Sequence, residues 1–93
     1  MQLIHGRIDA DGSVFSGSGG FSVTKTGTGM FSIYFQPSLN GYPTVVVSPV
    51  SQLCNASAVV SETERPWFFV MTAIDGQQQD IDGFSFIAVC PPV

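Results

Sequence analysis

Trp67-Phe68-Phe69-Val70-Met71-Thr72 is the run whose reading decides the fold. It follows Pro66, which breaks a helix, and it is rich in the aromatic and β-branched residues that favour strands. Alternation along a strand puts Trp67, Phe69 and Met71 on one face and Phe68 and Val70 on the other. Both faces are apolar. The closing run Phe84–Cys90 repeats the pattern, with Phe84, Phe86, Ala88 and Cys90 on one side and Ile87 and Val89 opposite. Val45 and Val47 likewise oppose Val46. An antiparallel sheet with one solvated side alternates apolar with polar residues, and these three strands do not. A cover for the second side is therefore expected. The chain has no window with the 3.6-residue apolar spacing of a helix to supply it. A neighbouring subunit is the simplest cover, and local loops are the alternative.

Outward from these runs, glycine, proline and polar residues punctuate the chain every few positions. Gln2–Ile8 and Ser13–Ser16 flank Asp9-Ala10-Asp11-Gly12, a hairpin signal because Gly accepts the positive φ of tight turns. Ser16-Gly17-Ser18-Gly19-Gly20 is a short flexible link. Phe21–Thr24 and Met30–Phe35 read as a second hairpin turning through Lys25–Gly29, with Phe31, Ile33 and Phe35 opposite Met30, Ser32 and Tyr34. Gln36–Pro43 is a loop with a turn pair at Asn40-Gly41, and Thr44–Ser48 is a strand ended by Pro49. Val50–Ser61 allows either a short strand at Ala56–Val60 or one helical turn around Asn55–Ala58. Asp75–Asp82 reads as a polar loop, and Pro91-Pro92 stops the last strand. The expectation is one all-β domain, a small antiparallel β-sandwich. Residues 1–20 would form an N-terminal hairpin and link, and residues 21–93 the sandwich core. Phe31, Ile33, Phe35, Val45, Val47, Phe69, Phe84 and Phe86 are the expected core.

Composition narrows the possibilities. The 93 residues carry 11% charged against 44% hydrophobic side chains, which excludes a disordered acidic tail. The net charge is −4, and Arg7, Lys25 and Arg65 are too few to neutralise a phosphate backbone, so no nucleic-acid partner is expected. No apolar run approaches the roughly 18 residues of a helical membrane span, and no continuous apolar signal segment opens the chain. A domain this small buries only about 60% of its potential surface, and such domains commonly use staples or partner subunits. Cys54 and Cys90 read either as two free thiols packed as small hydrophobes or as one disulfide. With one histidine, His5, a protein-only zinc site is not expected, nor is any cofactor.

Two resemblances follow from these residues. Gly6–Ser13, Ser16–Gly29, the strand Met30–Phe35, Pro43 leading into Val45–Val47, and Phe84–Val89 resemble a small β-domain at the ends of phage tail-fibre and bacterial surface proteins. The second half also resembles the H-type lectin layout of a phenylalanine-rich strand, a Pro-preceded valine strand and a final aromatic-aliphatic strand. It departs from that layout at Ser61–Pro66. The resemblances imply a homotrimer, recognition of a host-surface receptor or cell-surface glycan near subunit interfaces, and an extracellular, virion-associated or cell-surface setting. The alternative they leave open is a purely structural trimerisation or assembly module.

Catalysis requires a nucleophile with its base, a carboxylate pair or a metal. His5 is placed in an edge strand, Gly17-Ser18-Gly19 lacks the spacing of a nucleophile elbow, and Gly27-Thr28-Gly29 lacks the lysine and helix of a phosphate loop. Glu62 and Glu64 share a polar loop with Arg65, where solvation or an ion pair is the ordinary outcome. No enzyme is expected. Asp9 and Asp11 read as an Asx-type turn. Binding fits better. Trp67 beside Glu64 and Arg65, with Tyr34 and Tyr42, offers aromatic faces for C–H surfaces and polar groups for hydroxyls. Tyr42, Glu64, Arg65 and Trp67 are the candidate ligand-binding residues, joined by Asp75 and Asp80 in the polar loop. Asn55-Ala56-Ser57 is formally a glycosylation acceptor.

Overall fold

The computed structural model describes residues 2–37, 39 and 41–90. Nine strands form in chain order: β1 (Gln2–Asp9), β2 (Val14–Gly17), β3 (Phe21–Gly27), β4 (Met30–Phe35), β5 (Thr44–Val50), β6 (Ala56–Thr63), β7 (Trp67–Ile74), β8 (Gln77–Gln78) and β9 (Gly83–Cys90). They build two antiparallel sheets. Sheet A has the order β2-β1-β9-β5, and sheet B the order β3-β4-β7-β6 with β8 paired to the end of β7. No helix is present among the described residues, and so none long and apolar enough to cross a membrane. The all-β reading is correct. The Asn40-Gly41 turn pair involves Asn40, which lies outside the described residues, as does the Pro91-Pro92 stop.

Several strands differ from the sequence expectation. β1 is not an edge, and the N-terminal hairpin is not an appendage to a core beginning at residue 21. Gln2 through Asp9 pair one for one with Cys90 through Gly83, which puts β1 inside sheet A. Gly6 makes this possible, since a Cβ there would lie 2.6 Å from Phe21 Cζ. The Phe21 ring uses that space to meet Phe86 edge-on, with centroids 5.0 Å apart. The ambiguous Val50–Ser61 stretch resolves as strand, because Ala56–Val60 pair along β7 and a bulge before Glu62 carries the ladder on to Thr63. Pro49 does not end β5, which continues to Val50. An edge strand accepts a residue without a donor. The supposed polar loop begins as a hairpin, since Asp75 and Gly76 have φ of 53° and 80° and fold Gln77–Gln78 back on β7.

The core lies between the sheets. Phe31, Ile33 and Phe35 of β4 and Phe68 and Val70 of β7 face Ile8, Phe84, Phe86 and Ala88 of sheet A. Ring pairs tie the layers together: Phe31 with Phe84 at 5.0 Å and Phe68 with Phe86 at 5.1 Å. Phe69 does not belong to this core, because the inward face of β7 is the one carrying Phe68, Val70 and Thr72. Val45 and Val47 are half-buried beside it. Thr72 is fully buried, and its hydroxyl donates to Gln79 O at 2.8 Å. Both cysteines are free thiols, with Cys90 buried and Cys54 exposed. Cys90 closes β9 beside Gln2, whereas Cys54 sits in the β5–β6 connection at the opposite end of the sandwich.

Candidate functional site

The strand directions sort the candidate residues into two groups. The β6–β7 turn brings Glu64, Arg65 and Trp67 together. Glu64 N donates to Trp67 O at 2.7 Å, and the turn is tied to the β4–β5 connection by Phe35 N to Pro66 O at 2.8 Å and Leu39 N to Arg65 O at 3.3 Å. Trp67 lies directly opposite Tyr34 of β4. Tyr42 belongs to the same end of the molecule but to the sheet A corner, where Cys90 Sγ donates to the neighbouring Gly41 O at 3.5 Å. Its side chain is 65% exposed. Asp75 and Asp80 lie beyond the other end of β7 in a molecule 39 Å long.

The far group has structural employment. Asp80 accepts from Lys25 Nζ at 2.8 Å through one oxygen and from Gly29 N at 2.7 Å through the other. These contacts hold its carboxyl below the ordinary carboxylate range, the Lys25 hydrogen bond contributing most and the Gly29 N–H next. Asp75 is exposed at its turn. No group of three or more His, Cys, Asp or Glu among the described residues is placed to hold a metal ion. The Asp9–Ser13 turn is of the expected Asx kind, with Asp11 Oδ1 accepting from Ser13 N at 3.0 Å and Ser13 Oγ at 2.6 Å.

The near group opens onto a surface the sequence indicated only in part. With Phe68, Val70 and Thr72 turned inward, Trp67, Phe69, Met71 and Ala73 project from the outer face of sheet B. Trp67 and Phe69 stack with centroids 4.4 Å apart and planes 16° from parallel. Stacking occupies one face of each ring. Phe69 also lines a concavity of about 240 Å³ with Met71, Met30, Ser32, Thr26 and Ser61. Arg65 is exposed and its guanidinium has no ion-pair or hydrogen-bond partner among the described residues, whereas Lys25 is paired with Asp80 and Arg7 lies 4.5 Å over the Phe15 ring. Phe69, Met71 and Ser61 were not legible as residues of this face, nor was Ser32, which lies on it but is buried. The available signal was in the neighbouring strand, since Ser32 and Tyr34 share a face of β4 and pair with Phe69 and Trp67.

Sheet A carries a different outer face. His5, Ile87 and Val46 stand in one row across β1, β9 and β5, with Leu3, Val89 and Thr44 in the next. Leu3, Val46 and Ile87 are each at least half exposed. The expectation that both strand faces are apolar is met on both sheets, and no helix among the described residues covers either one.

No family model, no curated protein and no solved structure matches this chain. The likeness to tail-fibre end domains and H-type lectins therefore rests on turn and strand signatures alone.

Proposed function

We propose that this domain is a non-enzymatic recognition module that binds a cell-surface glycan, or a similarly exposed receptor, on the outer face of sheet B. The stacked Trp67–Phe69 pair beside Tyr34 carries this reading. Aromatic surface held half-open on a rigid sheet suits the C–H faces of sugar rings, and Glu64 and Arg65 at its end suit hydroxyls. A virion-associated or cell-surface setting follows from that role. Asp80 is left outside the site because Lys25 and the Gly29 N–H occupy its carboxylate, and Asp75 because it belongs to the β7–β8 turn and does not line the concavity beside Phe69. Glycan-array binding by the native chain, lost in Trp67→Ala with the fold intact, supports the reading. A blank array together with no binding to candidate host cells would remove it.

A second reading has its own observation. The exposed patch of Leu3, Val46 and Ile87 on sheet A supports self-association, and a homotrimer is the state that the tail-fibre resemblance implies. On this reading the domain is an assembly module, and a single-chain mass by sedimentation equilibrium at micromolar concentration would overturn it. The two readings are compatible, since they use different sheets.

A further inference from the structure

We infer that the ligand of the sheet B surface is an uncharged oligosaccharide lying along β7 across several rings; this inference rests on the glycan reading above. Its first support is shape. Trp67, Phe69, Met71 and Ala73 form one outward row, which at about 3.3 Å per residue runs for roughly 20 Å. The side chains shrink along it from tryptophan to alanine. Two concavities lie end to end on this row. The first, about 240 Å³, includes Phe69 and Met71, and the second, about 380 Å³, includes Met71, Ala73, Ser57, Val59 and Gln78. Met71 belongs to both, so the depressions form one groove along the strand. A single sugar ring would occupy one of them and leave the other empty.

The second support is polarity. The groove has an apolar floor of Phe69, Met71 and Ala73 and is almost wholly apolar along its first concavity, while Ser57 and Gln78 bring a hydroxyl and an amide to the second. A pyranose chain has the matching pattern of C–H ring faces and hydroxyl edges. The third support is charge. None of the residues lining either concavity is charged. The nearest charged position in the ladder is Glu62, paired opposite Phe69 on the edge strand β6. Lys25 is engaged with Asp80, and Arg65 lies beyond Trp67 in the turn, next to Glu64. An acidic saccharide would meet a chain of net charge −4 with no cation along the groove, whereas a neutral one incurs no such penalty.

Titration calorimetry of the native chain with size ladders tests this. Neutral ladders of one to six units (N-acetylglucosamine, mannose and N-acetyllactosamine oligomers) are compared with oligogalacturonates of equal length. The expected result is affinity for one neutral ladder rising about tenfold or more between one and four units, with the acidic ladder weaker at each length. Ser57→Trp, which fills the second concavity, should abolish that gain. Binding that does not depend on length, or that favours the acidic ladder, overturns the inference and leaves the glycan reading standing. No binding to any ladder, with the glycan array also blank, removes both. An oligomer that Ser57→Trp dissociates would show that a second copy of the chain fills the groove, and this too overturns the inference.

Discussion

Lys25 of β3 and Asp80, in the segment between β8 and β9, meet at 2.8 Å although 55 residues separate them. The second Asp80 oxygen takes the Gly29 N–H, while Thr72 N donates to Gly29 O and Thr72 Oγ1 to Gln79 O. One carboxylate thus fastens the β8–β9 segment to the β3–β4 turn. A depressed carboxylate contributes stability that is present above its unfolded value and lost as pH falls through its folded one. For Asp80 the loss begins near the ordinary value of 3.8 and continues below it. Thermal unfolding from pH 7 to pH 2 should show native stability declining in that acid window, and Asp80→Asn should flatten the decline. Because the Asp80 side chain is 39% exposed, solvent screens the pair, and Asp80→Ala should cost only about 1–2 kcal/mol.

Gly29→Ala tests the same fastening from the backbone side. Gly29 has φ of +67°, and a Cβ there would lie 2.8 Å from Thr72 O and 3.0 Å from Gln79 N. Those neighbours are backbone and cannot swing aside. A loss of about 1–3 kcal/mol in urea unfolding is expected. Combined with Asp80→Ala the losses should fall short of additive, because both changes release one contact.

Phe68 and Phe69 are adjacent and chemically identical, yet they should respond very differently. Phe68 is fully buried between the sheets, and truncation to Ala should cost about 3–5 kcal/mol. Phe69 is only partly buried, against Trp67, so Phe69→Ala should cost less than Phe68→Ala while removing ligand binding. Equal losses of stability would place both rings in the core and dissolve the proposed surface.

That pair also marks where sequence reasoning stopped. The strands and most turns were legible because their signals are local: period-two alternation, and Asp-Gly or Gly-rich segments at positions such as Asp11-Gly12 and Thr28-Gly29. Which side of Trp67–Thr72 faces inward is not local. It depends on Phe31, Ile33 and Phe35 of β4 pointing toward sheet A and on Gln79 O satisfying the Thr72 hydroxyl. Polarity alone would have turned Thr72, and with it Phe68 and Val70, outward. The interior place of β1 depends likewise on pairing with β9 at the far end of the sequence. Glu64, Arg65 and Trp67 were found together because one turn holds them. Asp75 and Asp80 fall away from them because β7 runs the length of the sheet in between.

Val46 supplies the test of assembly. It is 64% exposed on edge strand β5 and stands beside Ile87 on a face with no neighbour among the described residues. A lysine there adds a charge to an apolar row and also guards an open sheet edge, at little cost to a separate monomer. If sheet A joins copies of the chain, Val46→Lys should lower the sedimentation-equilibrium mass to one chain and leave the melting temperature of the separated monomer near that of its core. Binding to a soluble oligosaccharide should persist, because the groove lies on the other sheet. Binding to a glycan-coated surface should weaken by about 100-fold or more, because linked sites raise avidity through effective concentration. An unchanged mass would take assembly away from this face, and loss of soluble-ligand binding in the same variant would show that the two sheets are not independent.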